Sequence, residues 1–151
     1  MNEDVLSIDS LIEAMYQSMS FSPGSRPDYE RFRSLFSPGA NLLPPSDDDI
    51  NVSAVSVDEF IETSKVTLDR SHHIAQNGFN EKEIHRVTHQ YESVVQIFST
   101  YECLVVVEDE EHRSRGINAV QLIWQSQRWW IVSLIWDDET PENLVPNTYL
   151  P

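Results

Sequence analysis

The segment 115–139, RGINAVQLIWQSQRWWIVSLIWDDE, constrains the chain more than any other, because it holds all four tryptophans and two long runs of strand-forming residues. Residues 116–124 and 129–136 are rich in β-branched and aromatic side chains, which suit a pleated, packed surface. Gln125, Ser126, Gln127 and Arg128 between them are polar and few, as a hairpin connection requires. Strict alternation puts Asn118, Val120, Leu122 and Trp124 on one face of the first strand. On the second strand it sets Trp130, Val132, Leu134 and Trp136 against Trp129, Ile131, Ser133 and Ile135. Neither of those faces is polar, so both should be covered, one by helices of the same chain and the other by a second subunit. Asp137, Asp138 and Glu139, with Pro141 close behind, are expected to end the strand.

The residues before this hairpin divide into helices and then strands. Ile8, Leu11, Ile12, Met15 and Met19 fall on one helical face over residues 7–20, with Tyr16 beside it. Pro27 is placed to start a shorter helix over 28–36 that buries Phe32, Leu35 and Phe36, and Ser37-Pro38-Gly39 should stop it. Residues 40–44 suggest a short strand. Ser56 and Glu59 form a capping box, with Val55 and Phe60 as its hydrophobic staple, so a third helix is expected over 57–69. Its inner face would carry Val57, Phe60, Ile61, Ser64 and Leu68. Asn77-Gly78 is a turn signal. Residues 83–91 and 94–107 read as two further strands, and Glu108-Asp109-Glu110-Glu111 as the loop before the hairpin. Helices followed by strands imply an α+β fold with the helices on one face of a curved antiparallel sheet.

A chain of 151 residues can bury a hydrophobic core as a single domain spanning 1–151. Its 25 acidic residues against 10 lysines and arginines give a net charge of −15, a field that repels phosphate backbones and anionic lipid. Nucleic acid and membrane surfaces are therefore not expected partners. No apolar run reaches membrane-spanning length, and the opening MNEDVLSIDS lacks the parts of a secretion signal, so a cytoplasmic location is expected. The single Cys103 permits no internal disulfide and, between Tyr101, Leu104 and Val105, reads as a small hydrophobe.

Ser99-Thr100-Tyr101-Glu102, Arg115-Gly116-Ile117-Asn118, Gln121-Leu122, Arg128-Trp129-Trp130-Ile131-Val132-Ser133, and Trp136 with Glu139 resemble the NTF2-like superfamily, and within it the bacterial SnoaL-like proteins of uncharacterised function. The resemblance implies a cone: three N-terminal helices wrapped by a strongly bent antiparallel sheet, a cavity between them, and frequent dimerisation through the outer face of the sheet. It spans most of the chain. It does not single out an activity, since isomerases, cyclases, dehydratases, epoxide hydrolases, transport factors and binding modules share the superfamily.

Within that cone the strand face of Val95, Ile97, Ser99, Tyr101, Cys103 and Val105 is the more apolar and is taken as the interior. The Tyr101 hydroxyl and the Asn118 amide then lie in apolar company and need partners from the protein or a ligand. The expected pocket is lined by Tyr16, Phe60, His85, Ser99, Tyr101, Asn118 and Trp136, and would take a small apolar or carbonyl-containing ligand without a cofactor or metal. His85 and His89 would share an ion on a helix, but on a strand they stand about 13 Å apart, too far to do so. Asp47, Asp48 and Asp49 lack the spacing of a calcium loop. Relatives that move protons use a carboxylate inside the cone, and the sequence offers no clear equivalent. Asp137 or His85 is then the available base, with Tyr101 as the electrophilic donor. Three functions remain open: a small-molecule-binding protein, a proton-transfer cyclase, isomerase or dehydratase, and a dimerisation module with a filled interior.

Overall fold

The structure is a computed structural model that describes residues 2–47 and 49–151. Among them are four α-helices, α1 (Ile8–Met19), α2 (Tyr29–Ser34), α3 (Val57–Arg70) and α4 (His72–Asn77), and six strands, β1 (Phe36–Leu43), β2 (Val55–Ser56), β3 (Asn80–Tyr91), β4 (Val94–Val107), β5 (Glu110–Gln125) and β6 (Arg128–Asp138). The strands form one sheet in the order β2-β1-β6-β5-β4-β3. The expectation of a purely antiparallel sheet is corrected at one place: β1 runs parallel to β6, joined through the α3–β5 part of the chain. The α4 turn between α3 and β3 is a helix that the sequence reading did not contain.

Local chemistry explains the ends of the elements. The Ser56 hydroxyl accepts from the Glu59 amide and Glu59 reaches back to the Ser56 N–H, which starts α3 at Val57. Ser7 and Ser10 cap α1 in the same reciprocal way. Asp28, not Pro27, caps α2, which ends at Ser34 because the chain turns there into β1. Ser37-Pro38-Gly39 is no loop but the irregular start of that strand, where Gly39 takes φ 78° and the register with β6 slips between Phe36 and Asn41. Ser126 and Gln127 both have positive φ, as do Glu108 and Asp109, so two-residue turns join β5 to β6 and β4 to β5. Glu110 and Glu111 belong to β5. Asp48, in the acidic run considered for calcium, lies outside the described residues.

One bulge resolves the two apolar faces of β6. Gln121 pairs with Ser133 and Leu122 with Ile131, so Val132 is an extra residue and the alternation slips by one. Trp129 and Ile131 before it and Leu134 after it are all buried, while Ile135 is 48% exposed. The inner face of β6 is thus more continuous than strict alternation allows. The core lies between this face and the helices: Leu11, Ile12 and Met15 of α1 and Ile61 of α3 pack on Val95, Ile97, Val120, Leu122 and Ile131.

The outer face is partly covered by the chain's own C-terminal segment. Arg115 Nε donates to Glu139 at 2.7 Å, and the other Glu139 oxygen accepts from the Val145 amide. Farther along, the buried Thr100 hydroxyl donates to the Tyr149 carbonyl at 2.6 Å, and Tyr149 packs on Phe98. Glu102 pairs with Arg113 at 3.0 Å, and Arg128 stacks on Trp130. Among the described residues no helix is long and apolar enough to cross a membrane.

Candidate functional site

Between α1, α3 and the inner sheet face lies a cavity of about 560 Å³. Met15, Met19, Phe32, Phe60 and Trp136 make its apolar wall, with Phe60 edge-on to Trp136 at 5.6 Å between ring centroids. Its polar end is built by register. Glu81 pairs with Cys103 and Cys103 with Ser114; one row further along, Tyr101 pairs with Gly116 and Gly116 with Asp138. The missing side chain at Gly116 leaves a gap across β5. Tyr101 lies over that gap and donates to the Asp138 carboxyl, with the Asp137 carbonyl 3.3 Å from the same hydroxyl.

A methyl group on Gly116 would collide with the Tyr101 hydroxyl and the Asp137 carbonyl. Gly116→Ala is expected to destabilise the fold by about 1–3 kcal/mol, the usual range for forcing extra volume into a packed site. The near-ultraviolet circular dichroism should change with it, because the Tyr101 ring must swing away. An unaltered spectrum with stability within about 0.5 kcal/mol of the parent would show that the ring does not depend on this gap.

A second polar group stands behind the cavity wall. Tyr16 Oη accepts from Asn118 Nδ2 at 2.9 Å and lies 2.7 Å from Ser99 Oγ. Because Ser99 gives its proton to Glu83, Tyr16 is the donor to Ser99, and the chain of bonds has one direction, from Asn118 to Glu83. Arg86 holds Glu83 from the other side and reaches Asp9 of α1. Among the described residues every fully buried side-chain nitrogen and oxygen has a partner.

Burial raises Glu81 from its ordinary 4.5 to about 7; the Asp138 charge adds to the shift, and hydrogen bonds from Cys103 and Asn118 oppose it. Burial likewise pushes the Tyr101 and Tyr16 hydroxyls and the Cys103 thiol upward, so all three keep their protons at neutral pH. The Cys103 thiol points at Glu81, 3.5 Å away.

Of the residues expected to line a pocket, Tyr16, Phe60, Tyr101, Asn118 and Trp136 border this cavity. Ser99 does not: it is fully buried behind Tyr16. His85 is turned away as well, because Ile84 is a bulge residue between Glu83 and His85 that pairs His85 with Thr100 on the outer face. Asp137 pairs with Ile117 and also faces outward, bordering a shallow groove with Phe98. The strand continues through the acidic run, so it is the next residue, Asp138, that enters the cavity. The expectation that no carboxylate lies inside the cone is therefore corrected by Glu81, while Asp138 borders the cavity as an exposed residue. Glu81 escaped because β3 begins at Asn80 and not at residue 83. Carrying the alternation back from Glu83 by two residues would have set Glu81 on the same face.

No protein-family model matches the chain, and no curated protein sequence matches it. Solved structures do. An uncharacterised protein with a cystatin-like fold from Caulobacter vibrioides aligns at TM-score 0.59 and 12% identity, over 89% of this chain and 89% of that one. The β subunit of the benzoate 1,2-dioxygenase from Burkholderia mallei aligns at TM-score 0.60 and 12% identity, over 82% and 85%. The association domain of C. elegans CaMKII aligns at 0.58 and 11%, over 85% and 88%. At such identities the likeness concerns the fold alone, the cystatin-like fold that the Caulobacter protein is named for.

Proposed function

We propose, from the NTF2-like fold and the cavity it encloses, that the protein binds a small, mostly apolar molecule in the manner of a SnoaL-like protein, with the guest's polar group at the Glu81–Tyr101–Asp138 end. The observation that carries this reading is the cavity itself. Its size lies in the range of small-molecule pockets, its walls are mostly apolar, and its two carboxyl groups, Glu81 and Asp138, stand on the sheet side with Tyr101. Native mass spectrometry of protein purified without denaturation tests it, through a bound small-molecule adduct. Against the compound so identified, Tyr101→Phe is expected to weaken binding about fivefold to tenfold, because the Asp138 carboxyl loses the hydroxyl that orients it. Unchanged affinity by calorimetry would leave that hydroxyl without a role in binding.

Glu81 favours a second reading, proton transfer. A carboxyl whose affinity for a proton is poised near neutrality inside an apolar cavity is suited to take a proton from a guest, in the role the sequence offered to Asp137 or His85. Exchange of carbon-bound protons of an aryl ketone in deuterated water would mark this activity, and no exchange would leave binding alone.

Self-association through the outer sheet face belongs to the same proposal. Ile135 is 48% exposed there, and the C. elegans neighbour is named as an association domain. A sedimentation mass of one chain at micromolar concentration would remove the dimer.

A further inference from the structure

The polar end of the cavity has a pronounced asymmetry between hydrogen-bond donors and acceptors. Its donors are already directed at groups of the chain: Tyr101 gives its proton to Asp138, and Cys103 gives its own to Glu81. Asn118 gives an amide proton to Tyr16, and Ser114 stands beside Cys103 on the paired strand. What remains directed at a guest is acceptor capacity, the second lone pairs and oxygens of two carboxyl groups. Among the described residues bordering the cavity there is no lysine, arginine or histidine to oppose them. Phe60 of α3 and Trp136, which precedes Asp138 by two residues on the same face of β6, border the same space.

We infer that the head group this cavity selects is a protonated amine, carried on an apolar body that fills the aromatic part of the cavity. This rests on the binding reading above and names its ligand class. An ammonium group brings three donors and no acceptor, the complement of the Glu81 and Asp138 oxygens. Its charge also offsets the repulsion between those two carboxyls, and the aromatic rings favour a cation near their faces. A ketone or ester would bring only acceptors to a place that is rich in them. A carboxylate would add a third negative group.

Proton linkage separates the amine from a neutral guest by sign. Glu81 is faced by Asp138 from β6, Tyr101 and Cys103 from β4, Asn118 from β5 and Tyr16 from α1, and its neighbour Glu83 lies on the same strand. Above about 7 it is ionised and attracts an ammonium; below, it holds a proton that a carbonyl could accept. Amine affinity should therefore strengthen as pH rises through that value, and ketone affinity should weaken.

The test is calorimetric titration of the full chain with four probes on one scaffold: phenylbutylamine, phenylbutanol, phenylbutanone and phenylbutyrate. At a pH about one unit above the Glu81 value, the amine is expected to bind about tenfold or more tightly than the alcohol, as a charge-assisted hydrogen bond predicts. The carboxylate should bind least. In Glu81→Gln the ratio of amine to alcohol affinity should fall to within about twofold, with urea unfolding confirming that the variant is folded. Binding of the alcohol or ketone as tightly as the amine would overturn the head-group inference and leave the cavity reading standing. An amine affinity that weakens as pH rises would overturn it too. If none of the four binds, the inference and the binding reading both fall.

Discussion

Phe32→Ala should lower the stability of the fold by about 3–5 kcal/mol, the range for deleting a buried phenylalanine side chain. Phe32 is 2% exposed and sits where the core meets the cavity. Its ring is 4.8 Å from that of Phe36 and 5.7 Å from that of Phe60, which in turn braces Trp136. Alanine removes both the buried area and the partition between core and cavity, and α2 is too short to shift inward and refill the space. The midpoint of urea unfolding, followed by tryptophan fluorescence, reads the loss, and an unchanged slope would assign it to the native packing and not to the unfolded chain. Binding should change as well, since the enlarged cavity would accept a bulkier apolar guest than the parent. A loss under about 1 kcal/mol would mean that the aromatic chain collapses onto the vacancy, and that this wall does not define the cavity.

Much of the architecture could be read from sequence where the signal is local. Ser56 and Glu59 set the start of α3 by chemistry three residues apart. The face from Val95 to Cys103 was legible because β4 alternates without interruption. β6 was misread for the opposite reason: the Val132 bulge shifts the pleat by one, and no propensity marks where a strand will slip. The bulge at Ile84 did the same to His85. The parallel contact between β1 and β6 joins residues nearly a hundred positions apart, and Pro38-Gly39 disguised the strand that makes it.

The polar end of the cavity was hardest to read, since its carboxyls look like the ends of elements. Asp138 stands in a run of like charge, and Glu81 stands before the first apolar residue of its strand. Hydrophobic periodicity cannot find an acid on an inner face, because such an acid breaks the pattern by which inner faces are recognised. The apolar rows around Tyr101 and Asn118 gave those two positions away, whereas the groups they serve emerged only from the register.

Glu81→Gln should remove a pH dependence from the stability of the protein and raise that stability at alkaline pH. With its value lifted from 4.5 to about 7, Glu81 retains a proton in the folded chain over a window where the unfolded chain has released it. The folded state then binds more protons than the unfolded state, so stability falls as pH rises through the window. The favourable contribution is complete below about 4.5 and is lost by the time pH passes about 7. Glutamine does not titrate and keeps hydrogen-bonding capacity toward Cys103 and Asn118. The variant is expected to match the parent within about 1 kcal/mol near pH 4 and to exceed it by on the order of 2 kcal/mol near pH 8, as measured by urea unfolding. A difference of the opposite sign at pH 8 would mean that Glu81 is stabilised as a carboxylate in the folded chain and is not poised near neutrality. The same logic ties stability to binding. A guest that supplies a positive charge to Glu81 should offset the parent's loss at pH 8 and do nothing comparable for the glutamine variant.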